Sequence, residues 1–221
     1  MEQRQRKLII SLSDDEAASH APITAREAYI LNNFVQGSKT IKLDSRASKH
    51  IDNFQGSSIS NWDKANAADY PQKYPNHKIR SAMSPTYNCH GMTFASRRTC
   101  ITEDDTIEQI LNEDEYNLIP EADTLPGDVI IYWNDGSADH SGIIVEQIEF
   151  GHEPLVFDEM HDIGISLRRQ STKLFRVVSK WGIGHEFVHV HTQCPYFEST
   201  TDVRFYRIRN WNDQKQVSGN K

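Results

Sequence analysis

The chain has no long apolar run, little cysteine and no excess of positive charge. Its apolar stretches fall well short of the roughly 20 residues that a membrane helix needs, so no spanning segment is expected. Residues 1–12 are charged, but their apolar run is too short for the core of a signal peptide. This predicts a chain made as a soluble cytoplasmic protein, carried elsewhere only by a dedicated secretion machine or by lysis. Three cysteines, Cys89, Cys100 and Cys194, are too few and of the wrong parity for a disulfide-stapled secreted scaffold. A net charge of −7, a pI near 5.8 and no basic stripe argue against a nucleic-acid partner. The pairs Arg97-Arg98 and Arg168-Arg169 read as solvated surface. There is no internal repeat and no low-complexity tract. The acidic groups Asp104-Asp105 and Glu113-Asp114-Glu115 lack the alternating ligands of a calcium loop and read as helix caps and solvated helix surface.

What is present is ordinary globular composition: 221 residues, 37% hydrophobic and 25% charged, enough for one domain with an extension. A helix is predicted over 22–37, with Thr24 and Glu27 at capping-box spacing and Gly37 at its end. From 38 to 85 polar and turn residues dominate, punctuated by Pro71, Pro75 and Pro85. This reads as a segment laid over the core. Helices are predicted over 89–98 and 103–117, the second capped by Thr102 with Ile107, Ile110 and Leu111 as its buried stripe. Beyond Pro126 come short strands with turn signals between them, at 128–133, 142–148, 155–160, 163–168, 174–179, 186–191 and 202–209. Helices followed by strands predict an α+β domain with an antiparallel sheet. The expected organisation is a covering extension over 1–80, a catalytic domain over 81–212 and a flexible tail over 213–221.

Two segments carry chemistry. In Asn88-Cys89-His90-Gly91, a cysteine opens a helix, where free backbone N–H groups and the helix dipole favour thiolate and lower its pKa from roughly 8.5. The same amides can stabilise an oxyanion beside the sulfur. Gly91 leaves room for substrate or another backbone. His90 is a poor base for its neighbour, because adjacent helical positions do not face each other. The second segment is Pro126-Gly127-Asp128, which starts a strand, followed by the Asn134-Asp135-Gly136-Ser137 turn and His140-Ser141-Gly142-Ile143. There His140 is expected at a strand's first residue, with its ring at the sheet edge. A buried structural cysteine and a structural histidine are the plain alternatives; their pairing favours chemistry.

Cys-x-Gly opening a helix, then Pro-Gly-Asp, then His-Ser-Gly-Ile, resembles the NlpC/P60 and CHAP branch of the papain-like cysteine peptidases over roughly 86–146, and in outline to 210. The family's usual Asp before and Ser after the cysteine are replaced by Asn88 and His90. The resemblance implies a papain-like fold, Cys89 as nucleophile, His140 as general base and the Cys89 N–H in an oxyanion hole. For the third member, which holds the imidazole's tautomer, two residues compete. Ser179 lies in a Ser179-Lys180-Trp181-Gly182 segment similar to one in an uncharacterised bacterial group of this superfamily. Glu159, on the strand expected at 155–160, resembles the acidic or amide third residue of CHAP domains. A dyad with a weak orienting residue is a further option. His185, His189, His191 and Cys194 could suit zinc, but their spacing fits no closed metal motif, and no metal or cofactor is expected.

These residues predict a cysteine-nucleophile amide hydrolase. The resemblance implies a peptide or peptidoglycan substrate and suits an effector or toxin with a secretion-system or immunity partner. A papain-fold deamidase or transglutaminase-type acyltransferase acting on a protein is the alternative, and a catalytically inactive binding module a third.

Overall fold

The computed structural model describes residues 39–74, 76–148 and 173–209. The helix expected at 22–37, the strands expected at 155–160 and 163–168, Glu159, Arg168-Arg169 and the tail lie outside the described residues. The elements in order are α1 (Asn61–Lys73), β1 (Lys78–Ser81), α2 (Cys89–Phe94), α3 (Asp104–Glu113), β2 (Tyr116–Ile119), β3 (Val129–Asn134), β4 (Ser137–Ile148), β5 (Leu174–Lys180), β6 (Glu186–Val190) and β7 (Asp202–Ile208). All seven strands form one antiparallel sheet in the order β1-β6-β5-β4-β3-β7-β2. The α+β class is therefore observed. No helix among the described residues is long and apolar enough to cross a membrane.

The unbroken apolar run Val129-Ile130-Ile131-Tyr132-Trp133 becomes a central strand because the sheet is covered on both faces. Val129, Ile131 and Trp133 join Ile107, Ile110 and Leu111 of α3, with Ile51, in one core. Ile130 and Tyr132 join Phe175, Val177, Trp181, Phe187 and Cys194 in the other. Tyr70 and Tyr74, from the end of α1, cap that second core through edge contacts with Trp181 at 4.9 and 5.3 Å. The tyrosine-rich covering segment is thus apolar wall for Trp181.

Several boundaries differ from expectation. Helix α1 falls where polar residues hide any apolar stripe, and Pro71 sits near its end; the sequence carries only its capping box, Ser60 with Asp63. Helix α2 stops at Phe94 rather than 98, since Ser96 and Arg97 take positive φ of 51° and 66°. Helix α3 has Glu103, not Thr102, at its N-cap and ends at Glu113, and Tyr116 and Asn117, expected to close it, start edge strand β2. Asp104 is no solvated cap: it accepts from Ser137 Oγ and the Ala138 N–H, tying α3 to the β3–β4 hairpin. Strand β4 begins at Ser137, five residues early, because Asp135 and Gly136 both take positive φ (50° and 83°), the two-residue turn that keeps strands paired to their tip.

Helix α2 is fixed at both ends by one buried carboxylate. Glu186 of β6 accepts from Tyr87 Oη at 2.8 Å, Arg97 Nε at 2.5 Å and Arg80 Nη1 at 3.1 Å. Burial raises the carboxyl pKa, but the hydrogen bonds from Arg97 and Tyr87 win and hold it below its ordinary value. Gly91 lets the returning chain cross the helix: a Cβ there would lie 1.6 Å from the Thr99 carbonyl oxygen. Gly91→Ala is expected to destabilise the fold by about 3 kcal/mol or more, since backbone cannot yield as a side chain does. Urea unfolding measures it, and a loss under ~0.5 kcal/mol would contradict the crossing.

Candidate active site

Strand β5 pairs with β4 only as far as Gly142↔Ser179. Toward the hairpin tip, α2 takes the place of β5 beside β4. His90 Nε2–H donates to the Ala138 carbonyl at 2.9 Å, and its Nδ1 bonds the Ser141 hydroxyl at 2.9 Å. With both nitrogens engaged, His90 is a strut between helix and strand, in keeping with its poor placement as a base.

Cys89 is the first residue of α2 and is 5% exposed. The amides of Ser141, His90 and Cys89 itself face its sulfur and favour the anion, yet burial outweighs them and pushes the thiol up to about 12. This corrects the expectation of a lowered pKa. The helix is short, and its Gly91 N–H is taken by Asn88 Oδ1 at 2.9 Å, so little of the N-terminal field is left for the sulfur. Cys89 rests as a neutral thiol. It borders a cleft whose walls include Asp63, Asn66, Tyr70, Trp181 and Tyr196.

His140 is the fourth residue of β4, inside the sheet rather than at a strand's start. Tyr132 pairs with His140 but Trp133 pairs with Ala138, so Asp139 is an extra residue, a bulge. The bulge puts Ala138 against the α3 core and turns His140 to the opposite face. There the ring is fully buried and stacks on Tyr196, with centroids 3.9 Å apart and planes 5° from parallel. Neither ring nitrogen has a hydrogen-bond partner among the described residues. Burial, reinforced by His189 and His90, holds its pKa well below the usual value, so the imidazole is neutral. Two residues link Cys89 to His140. Ser141, next to His140, aims its amide at the sulfur, and Tyr196 stacks on the imidazole while Cys89 raises its phenol pKa, after burial and Tyr70.

Ser179 does not bond His140. Its Oγ lies 2.7 Å from His189 Nε2, and His189 Nδ1 lies 2.8 Å from the Val190 carbonyl. A carbonyl only accepts, so Nδ1 carries the proton, Nε2 accepts, and Ser179 is the donor. The other members of the histidine cluster diverge. His185 Nδ1 donates to the Ser81 carbonyl at 3.0 Å, and His191 Nδ1 accepts from the Phe175 N–H at 3.1 Å. Cys194 Sγ faces the His191 carbonyl at 3.8 Å. Among the described residues, no three His, Cys, Asp or Glu side chains converge as metal ligands. Tyr196 and Lys180 were not singled out as site residues, and His189 was weighed only as a member of the histidine cluster. His189 and His191 had a signal, two polar residues sharing one face of a strand and alternating with Val188 and Val190; Tyr196 lies in an irregular stretch with none.

Comparisons with family models, curated proteins and solved structures find no match for this chain.

Burial also holds His189 and His191 at about 4, so three neutral imidazoles lie in the core. Each binds protons more readily when unfolded, near pH 6.5, than when folded. Their contribution is therefore intact above pH 6.5 and lost as pH falls toward 4, at on the order of 3 kcal/mol for a ring held at about 4. Urea titrations at pH 7.5, 6, 5 and 4 are expected to show a steep decline across that window. Stability that stays flat from pH 6.5 to 4.5 would contradict neutral burial.

Proposed function

We propose that the chain is a papain-like cysteine hydrolase of amide bonds, with Cys89 as nucleophile and His140 as general base. One observation carries this reading: a cleft-lining thiol has three amides directed at its sulfur, one of them from Ser141, the neighbour of a buried imidazole whose nitrogens have no hydrogen-bond partner among the described residues. A neutral thiol next to a neutral imidazole is a competent starting state. As the sulfur attacks a substrate carbonyl, its proton passes to His140. The carbonyl oxygen becomes an oxyanion that the Cys89 and His90 N–H groups can take over from the sulfur. The tetrahedral adduct collapses, the C–N bond breaks, and the imidazolium returns the proton to the leaving amine. His140 then deprotonates a water that attacks the thioester, releasing the acid and restoring the thiol.

Of the two candidates for the third member, we take Ser179, whose partner His189 also acts on the His140 imidazole. Its hydroxyl proton is committed to His189, so its oxygen offers only lone pairs, which suits acceptance of a His140 N–H. The substrate class follows from the resemblance to NlpC/P60 and CHAP enzymes: a peptide linkage of bacterial peptidoglycan. Delivery as an effector or toxin through a secretion system, with an immunity protein as partner, belongs to the same proposal.

A second fate of the acyl-enzyme is favoured by the aromatic walls of the cleft, Tyr70, Trp181 and Tyr196 around a 5%-exposed sulfur. A protein amine that enters can compete with water, giving transglutaminase-type transfer or, with water and a glutamine donor, deamidation. Intact-mass analysis of candidate protein substrates separates these outcomes from wall hydrolysis.

Incubated with peptidoglycan, the wild-type protein is expected to release cleaved stem peptides, detected by liquid chromatography and mass spectrometry. Cys89→Ala is expected to abolish release, and His140→Ala to reduce it by about 10²–10⁴-fold. Ser179→Ala is expected to cost less, about tenfold, as an orienting group. Activity that survives in Cys89→Ala would end the proposal.

A further inference from the structure

Lys180, the last residue of β5, is fully buried and its ammonium has no carboxylate within ion-pairing distance among the described residues. A buried ammonium ordinarily has a paired carboxylate. Here the nearest candidate, Glu186, is already matched by Arg97 and Arg80 and accepts the Tyr87 hydroxyl. Lys180 instead spends its three protons on neutral groups. Two go to the carbonyls of Ile183 at 3.3 Å and Gly184 at 2.5 Å, and the ammonium lies over the Tyr87 ring, 4.5 Å from its centroid.

Both sets of contacts lead to the nucleophile. Ile183 and Gly184 belong to the turn after β5, and Trp181, Gly182 and Gly184 of that turn wall the cleft that Cys89 opens into. Tyr87 lies two residues before Cys89, in the approach to α2. The charged and titratable groups around the ammonium are Glu186 from β6, Cys100 from the chain beyond α2, Cys89 from α2, and Tyr87. Alternation along β5 separates two roles. Ser179 faces His189 on one side of the sheet, and Lys180 faces α2 on the other.

We propose that Lys180 is a positioning residue for Cys89, a buried positive charge left without a carboxylate partner that stabilises the anion formed at that sulfur while clamping the cleft wall. The resting state has no anion there, because Cys89 is a neutral thiol. Beyond Glu186, which is shared with two guanidiniums, the charge gains an anionic neighbour when Cys89 gives up its proton or when a carbonyl oxygen beside it becomes an oxyanion. Arginine could keep the charge; methionine could fill the volume without it.

This inference rests on Cys89 being the nucleophile, so its test reads the thiol directly and needs no substrate. Full-length protein is treated with iodoacetamide from pH 6 to 10, and alkylation of Cys89 is followed by peptide mass spectrometry, with Cys100 and Cys194 mapped in parallel. Burial lowers the pKa of Lys180 to about 8. In the wild type the rise of the Cys89 rate with pH is therefore expected to be interrupted around pH 8, where the stabilising charge is lost. Lys180→Arg keeps its charge throughout and is expected to rise without the interruption. Lys180→Met, checked for folding by its thermal midpoint, is expected to react about tenfold more slowly at pH 7, the effect of removing one nearby charge. If Lys180→Met does not fold, the comparison of wild type with Lys180→Arg decides alone. Superimposable wild-type and Lys180→Arg profiles, or a folded Lys180→Met with the wild-type rate, would overturn the inference. A wild-type Cys89 that resists alkylation over the whole range would instead overturn the nucleophile reading on which it rests.

Discussion

The arrangement depends on one substitution of partners along a single strand. Strand β4 is bonded to β5 from Ile148 to Gly142 and then to α2, whose first two residues supply a histidine strut and a sulfur to Ala138 and Ser141. Backbone groups leaving a ladder need new partners, and a helix N-terminus arriving sideways provides them. That exchange brings the thiol of Cys89 to the strand that carries His140. The bulge at Asp139 then decides which way the imidazole turns, and Tyr196 closes over it.

Burial sets the electrostatics of this region more than any charge does. Cys89 and Cys194 are raised, His140, His189 and His191 are lowered, and each rests neutral. The ions that stay buried are handled in two ways. Glu186 is matched by two guanidiniums and a phenol, and in return it holds Tyr87 before α2 and Arg97 after it. Lys180 is solvated by carbonyls and a ring and keeps its charge unpaired. A neutral thiol–imidazole pair costs little to hold in a dry site. In the proposed mechanism, charge would separate only when a substrate is present to use it.

The fold was legible where apolar pattern and turn chemistry agreed. The Val129–Asn134 strand, the Asp135-Gly136 turn, the β5 and β6 strands and the Ile107, Ile110, Leu111 stripe all announce themselves in this way. What escaped was set by tertiary contact. Helix α1 has almost no amphipathic pattern: among its described side chains Ala67 is buried and Tyr70 packs on the core, with Tyr74 just beyond its end. Strand β1 is an edge strand of four half-polar residues, paired only with β6. At the site, the place of Cys89 at the start of α2 could be read from the residues around it, since a helix cap is local, whereas His140 was expected at a strand's first residue and lies buried inside β4. The thiol's raised pKa could not, because it depends on side chains that cover the sulfur from distant parts of the chain. The bulge at Asp139 and the pairing of Ser179 with His189 are likewise products of register between strands.

The central claim is that Cys89 and His140 act as a pair, and the rate of Cys89 modification with and without the imidazole tests it most directly. Iodoacetamide alkylation at pH 7 is compared in the wild type and in His140→Asn, which preserves much of the ring's volume, with folding verified by thermal melting. The account predicts that the variant loses at least tenfold in rate, because the thiol no longer has a base to take its proton. Equal rates in two folded proteins would show that the imidazole does not serve the sulfur, and the pairing would be wrong.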